Sequence, residues 1–482
     1  MGITLNFSVI LTEIIFVLIS SFIFLIDKFI KNKNYAFYVT LITLILASYL
    51  ILFVPFGEFT YAYKADFYSS TLKLFLVMGT LLISLISYNY LQYYINLNSG
   101  EYYGLLLFSM VGAFLMLSGM DLITIYLAME LMSFPVYFLI ALNYVYNRPS
   151  LEGALKYFIV GSLGSVFILI GLGIVYYFTG TFILQEISQI LEKSLYLKEL
   201  LAGFIFILIG FSIKLSLVPF HMWAPDAYES APVPITSFIA GIVKFAVIAT
   251  LVKIILVGFN SLRVEIGEVL IPIILVSILI GNVMAIVQDN IIRMLAYSSI
   301  AHAGYAGLGL ISADYVGYSF TVFYMLVYLI MAIGTFSVLV FLANFKKELL
   351  HIPSMASLCE KTPFVSLLFL ILMFSLAGIP PTAGFIAKFY IFMSLIKAKY
   401  VWVALIAILF AVIGAYPYLR VLKVIYMDKQ EFEFKFKYDF TFLIPVCVTV
   451  FLIIIIGIYP KPWTDIIYKT MYFYITSLFY LY

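Results

Sequence analysis

The sequence predicts an all-α polytopic membrane protein of about fourteen transmembrane helices, on three observations. Apolar residues make up 65% of the 482 and charged residues only 11%, against about 25% charged in soluble domains. The apolar residues fall in runs of about 20, the length that crosses a bilayer core. Charges also sit where they are costly. In the stretch Leu200–Leu256, Lys214 lies five residues before Pro219, and Lys244 lies near the middle of the next apolar run. A lysine at a helix centre costs roughly 2.5–3.5 kcal/mol to insert, so an ionisable group at that depth marks a functional site by default.

The first span is Leu5–Ile26. No basic residue precedes it, so it does not read as a cleaved signal peptide. Glu13 interrupts it and is expected near the interface or against a neighbouring helix. Spans two and three are Phe37–Phe56 and Tyr68–Tyr90; Lys73, early in the third, is expected to snorkel to the interface. Spans four and five, Leu105–Gly119 and Leu122–Asn143, meet at a tight turn at Met120-Asp121, and Glu130 falls near the centre of the fifth. Span six, Leu151–Phe178, carries Lys156 a turn and a half in, and four glycines that permit close helix approach. Between Gly180 and Lys198, isoleucine and leucine at helical spacing suggest a segment lying along the interface.

Spans seven and eight are the Leu200–Leu256 stretch. Its centre, dense in proline and holding His221, Trp223, Asp226 and Glu229, reads as a broken helix. Spans nine, ten and eleven are Val269–Val287, Ile291–Ile311 and Tyr315–Phe345, with Tyr297, Ser298, Ser299 and His302 at mid-depth in the tenth. A polar loop, Lys346–Lys361, leads to span twelve, which Gly378, Pro380, Pro381 and Gly384 break at mid-depth; Lys388 lies one turn beyond. Span thirteen, Val401–Met427, a charged hairpin, Asp428–Asp439, and span fourteen, Phe440–Tyr459, follow. The aromatic tail Lys461–Tyr482 reads as interfacial.

One break falls in spans four to eight and one in spans nine to thirteen. Five helices per unit is an odd number, so a repeat of this kind must be inverted. The chain then divides into 1–100 (helices 1–3), 101–258 (first repeat), 259–430 (second repeat) and 431–482 (helix 14 and tail). Lysines cluster in alternate loops, at Lys28/Lys31/Lys33, Lys346/Lys347/Lys361 and Lys423/Lys429/Lys435/Lys437. That bias puts both termini on the outer face. A net charge of +3 gives no reason to expect nucleic acid as a partner. Two distant cysteines cannot hold an iron–sulfur cluster alone, and three histidines are too few for two bis-histidine haems. No glycine-rich nucleotide loop follows a strand.

The phrases KLSLVPFHMWAPDAYESAPVP, RMLAYSSIAHAGYAGLGL and GIPPTAGFIAKFYIF carry a resemblance. They resemble the antiporter-like membrane subunits of respiratory complex I, the bacterial NADH-quinone oxidoreductase, in order and at the expected spans. Lysine at 388, where some sister subunits are expected to have Glu, points to the subunit N branch. The resemblance covers most of the chain, roughly spans four to thirteen. It implies a proton-translocating subunit of the bacterial inner (plasma) membrane, working with other membrane subunits and a hydrophilic arm. NADH, FMN, iron–sulfur clusters and quinone are implied on those partners, with no cofactor or metal on this chain. Matching the family's functional positions residue by residue implies Glu130, Lys156, Lys214, Lys244, His302 and Lys388 as the proton-carrying groups. An alternative is a subunit of a multisubunit sodium/proton antiporter or a membrane-bound hydrogenase, which shares this core.

These residue types suit the chemistry. A lysine in a dry site gives up its proton readily, because burial disfavours charge, and a nearby carboxylate reverses that. Each also has a plainer reading. Glu130 could be a hydrogen-bonded structural carboxylate, Lys156 could snorkel, His302 could be packed against a hydroxyl, and His221 could satisfy carbonyls freed by the break.

Overall fold

The computed structural model describes residues 6–30, 34–94, 99–144, 148–429 and 440–479. Helices α1 (Leu11–Ile26) and α2 (Tyr35–Phe53) are followed by a two-stranded antiparallel hairpin, β1 (Gly57–Thr60) and β2 (Tyr63–Ala65). Then come α3 (Phe67–Tyr94), α4 (Ser99–Ser118), α5 (Leu122–Ala141), α6 (Pro149–Thr179), the short α7 (Leu184–Lys193) and α8 (Leu197–Lys214). After a break follow α9 (Trp223–Ser230), α10 (Val233–Phe238), a π-helical turn at Ile239–Val243, and α11 (Lys244–Val257). The chain continues through α12 (Arg263–Ile286), α13 (Ile291–Ile311), α14 (Tyr315–Phe345), the single turn α15 (Leu358–Lys361) and α16 (Pro363–Ala377). Beyond a second break lie α17 (Ala383–Lys397), α18 (Val401–Met427), α19 (Phe440–Ile458) and α20 (Lys461–Phe479).

Eleven helices among the described residues are long and apolar enough to cross a membrane. α13 and the two interrupted helices, α8–α9 and α16–α17, bring the passes to the expected fourteen. The core sits around α14 and the Val233–Val257 helix, whose most apolar windows are 100% and 94% buried. α1, α6 and α18 turn most of their surface outward, at 33% buried each. Leu25, Leu163 and Leu409 are exposed there, as expected of side chains facing lipid rather than a water-excluding core.

Helix ends follow local chemistry. Asp121 accepts from the Thr124 amide at 2.8 Å and starts α5 straight out of the tight turn. Asn290 and Asp314 cap α13 and α14 in the same way. α7 lies where an interfacial segment was expected. Its leucine and isoleucine face is buried, and Asp121 and Ile183 form an isolated bridge at its start.

Three readings change. Lys73 does not snorkel: it is 4% exposed and pairs with Glu13 at 2.6 Å, beneath the hairpin residue Tyr63, whose hydroxyl donates to Glu13 at 2.7 Å. An oppositely charged partner on another helix holds it inside more firmly than the interface draws it out. The fourth and ninth spans start earlier, at Ser99 and Arg263, because polar first turns hide a helix start from a hydropathy count. The polar loop 346–361 is not featureless; it folds into two 3-10 turns and α15. The charged hairpin 428–439 lies almost wholly outside the described residues.

Candidate functional site

Lys214 ends α8 because the chain leaves helical geometry two residues later, at Ser216, with φ +57°. Its Nζ donates to Ser133 Oγ at 2.9 Å and Tyr137 OH at 3.2 Å, both on α5, and stands 3.3 Å from Glu130 Oε1. The Lys214 side chain is fully buried, whereas that of Glu130 is 24% exposed. Glu130 Oε1 also accepts from Ser165 on α6 at 2.6 Å. One carboxylate oxygen therefore receives both a hydroxyl and an ammonium.

The same break presents Ser216 to the next lysine. Lys244 donates to Ser216 Oγ and Ser299 Oγ at 2.7 Å each and to the Ser299 carbonyl at 3.2 Å, and it forms no ion pair among the described residues. It begins α11 directly after the π-helical turn, a local under-winding that tends to mark functional positions. Ser299 leads along α13 to His302. The His302 ring bonds Tyr324 OH through Nδ1 at 2.8 Å and Tyr418 OH through Nε2 at 3.2 Å, and it stacks on Tyr328. One turn further, Tyr305 offers its ring to Lys388, whose Nζ lies 5.0 Å from the centroid.

Lys388 is built by the second break. Gly378 ends α16 at φ +85°, a conformation open to glycine at no steric cost. The carbonyls freed there, Leu376 at 3.1 Å and Ala377 at 2.9 Å, accept from Lys388 Nζ, which reaches back from α17. Lys214, Lys244, His302 and Lys388 thus form one buried row, each set against hydroxyls, an aromatic ring or freed carbonyls.

Lys156 lies apart from that row. It pairs at 2.7 Å with both Glu152 and Asp226, its side chain 42% exposed. Asp226 in turn meets Arg293 at 2.7 Å, and Arg293 meets Glu229 at 2.9 Å. These groups line a cavity of about 450 Å³ with Asn290, Lys347 and His351, where α6 and α13 begin and α14 ends. His221 sits partly exposed in the first break, where it bonds the Pro219 backbone, in line with its plainer reading.

Sequence reasoning named Asp226 and Glu229 without a role. Their partner Arg293 lies more than sixty residues away, and only the fold brings them together. It also passed over Lys253, 1% exposed on α11, which donates to the carbonyls of Met116, Leu117 and Gly119 at the end of α4. A second lysine inside an apolar run was the available signal. Among the described residues, no group of His, Cys, Asp and Glu could hold a metal ion.

The sequence pattern of the NADH:quinone oxidoreductase/Mrp antiporter transmembrane family matches residues 119–414, which contain every residue of the row. NADH-quinone oxidoreductase subunit N of Nitrosomonas europaea is 35% identical over 87% of this chain and 88% of its own. The subunit N of Coxiella burnetii is 36% identical over 88% of this chain and 90% of its own. Among solved structures, a chain of respiratory complex I from Thermus thermophilus superposes with a TM-score of 0.80 at 27% identity, covering 94% of this chain and 98% of that one. A chain of the Mrp complex from Dietzia reaches 0.87 at 16% identity, over 98% and 99%, and so shares the fold. The fold with its two broken helices, the matched pattern and these relatives agree: the chain belongs to the NADH:quinone oxidoreductase/Mrp antiporter family of membrane subunits, on its complex I subunit N branch.

Proposed function

We propose that this chain carries protons across a bacterial inner membrane as the subunit N of an NADH-quinone oxidoreductase, through Glu130, Lys214, Lys244, His302 and Lys388. Lys156 serves the open cavity at one end. The observation that supports this reading is the buried row itself: three lysines and a histidine, with serine or tyrosine hydroxyls against Lys214, Lys244 and His302 and freed backbone carbonyls against Lys388. Neutral hydroxyls beside titratable nitrogens suit proton hopping.

The energetics are of the right size. At 3.3 Å and an effective dielectric of about 20, the Glu130–Lys214 attraction is roughly 5 kcal/mol, reduced by the partial exposure of Glu130. Moving one charge against about 180 mV costs roughly 4 kcal/mol. Closing and opening this one contact therefore matches the work of one proton. NADH, FMN, iron–sulfur clusters and quinone belong to partner subunits in this reading, and electron transfer there sets the state of the Glu130–Lys214 pair. The chain contributes the membrane half of the translocase.

A sodium/proton antiporter subunit is the second reading, suggested by the likeness to the Mrp chain. The sequence relatives favour subunit N. Proton uptake by membrane vesicles during NADH oxidation tests the proposal. Arginine at 214 keeps the charge but cannot release a proton, so Lys214→Arg is expected to abolish uptake at normal levels of assembled complex. Full uptake by that variant excludes the row as the path.

A further inference from the structure

One face of α6 connects the open cavity with the Glu130–Lys214 pair at a regular four-residue spacing. Gly153 lines the cavity, and Ser165 bonds Glu130. Between them on the same face lie Tyr157 and Gly161, since residues four apart on a helix stack one above the other. Gly161 is small because the Tyr137 hydroxyl occupies its side-chain space; a Cβ there would lie 2.3 Å from that oxygen. Tyr157 is therefore the one large side chain on this face between the cavity and Tyr137, which accepts a hydrogen bond from Lys214.

Tyr157 is 1% exposed and sits in an aromatic wall. Its ring stacks on Trp223 at 4.2 Å and 13°, and meets Tyr137 edge-on at 4.7 Å. Trp223 is pinned by its indole N–H, which donates to the Ile213 carbonyl at 3.1 Å, next to Lys214. Yet the Tyr157 hydroxyl is buried and has no hydrogen-bond partner among the described residues. Among the described residues Tyr318 shares this, away from the cavity and the row, whereas the buried hydroxyls of Tyr68, Tyr102, Tyr228, Tyr324 and Tyr418 each have a partner. A buried hydroxyl left unpaired destabilises the fold, so a purely structural role would be served better by phenylalanine.

We propose that Tyr157 is a proton relay between the Lys156–Asp226 cavity and Lys214. Its oxygen takes a proton from a water on the cavity side as its own O–H proton passes, through a second water, to the Tyr137 hydroxyl. The Tyr137 proton moves on to the free amine of Lys214. At each oxygen one O–H bond forms as one breaks, the electron pairs stay on oxygen, and both tyrosines end neutral. Rotation of the two hydroxyls resets the path. No oxidant or reductant takes part. The inference rests on the proton-carrying reading of the row and adds its connection to one membrane face.

The test uses the assembled complex in vesicles, reading complex level, NADH oxidation and proton uptake, in H₂O and D₂O. Tyr157→Phe keeps the aromatic wall and removes only the unpaired hydroxyl. It is expected to assemble normally and to slow coupled proton uptake about 100-fold, the loss typical of one positioned proton-transfer group. The solvent isotope effect is expected to rise as this step becomes limiting. Wild-type uptake by Tyr157→Phe overturns the relay. So does a complex that fails to assemble, which would assign the hydroxyl to the fold. Lys214→Arg, run alongside, separates the two levels: if it pumps normally the row is wrong, and if only Tyr157→Phe does, the relay alone is wrong.

Discussion

At Glu130 one carboxylate oxygen is shared by Ser165 and Lys214, so on the proposed path reach counts as much as charge. Glu130→Asp keeps the charge but withdraws it by about one bond, and partial proton uptake is expected. Glu130→Ala removes the counter-charge and is expected to stop coupled NADH oxidation. The double variant with Lys214→Ala is expected to be no worse than either single one, because both remove the same step; an additive loss would assign the two residues to separate steps. Gly378→Ala makes a different point. The φ of +85° disfavours any side chain, and the new Cβ would lie 2.9 Å from Lys388 Cδ and 3.1 Å from its Nζ. Uptake is expected to fall about as far as in Lys388→Met, at reduced complex level. Wild-type uptake would show that Lys388 can work from another position.

At the scale of elements, the first three helices carry an ion pair of their own. Lys73 and Glu13 are both nearly inaccessible and meet at 2.6 Å, with Tyr63 from the hairpin touching each. Breaking one side of such a pair typically costs about 3–5 kcal/mol, whereas replacing both by apolar residues can be neutral. Glu13→Gln is therefore expected to lower the amount of assembled complex and its thermal midpoint, and Glu13→Leu with Lys73→Met to restore both. Equal loss in single and double variants would argue against pairing as the source of stability. Sequence reading located both residues and missed the pair, because Glu13 and Lys73 lie 60 positions apart and hydropathy carries no partner information. The β1–β2 hairpin was missed for a related reason: its strands are four and three residues long, too short for alternation to register. The two breaks were legible, since proline and glycine act on the chain locally and leave their mark in the sequence.

The whole molecule is a set of passes whose number could be counted from apolar runs of bilayer length, while the convergence of Asp226, Glu229 and Arg293 could not. Its orientation can be tested directly. α7 and the 346–361 segment lie at opposite ends of the bundle, at the end of α6 and the end of α14. With Cys359 and Cys447 replaced by alanine, single cysteines at Ser194 and at Lys347 are expected to label from opposite sides, Ser194 from outside. Labelling of both from one side would break the fourteen-pass arrangement. The row has an electrical consequence as well. His302 stands twelfth of the 21 residues of α13, and Lys244 twelfth of the 25 of its span, so both lie near the middle of the bilayer. A charge moving from one to the other travels sideways and crosses little of the membrane voltage. Almost all of the roughly 2.3 kcal/mol per 100 mV is then borne by the short legs between row and faces. Substitutions in the row are expected to lower proton flux by the same factor at every imposed potential. Substitutions in a leg, Tyr157 among them, are expected to change the slope of flux against voltage. On the proposed path the chain is a conductor laid flat, with its two contacts, rather than its length, carrying the load.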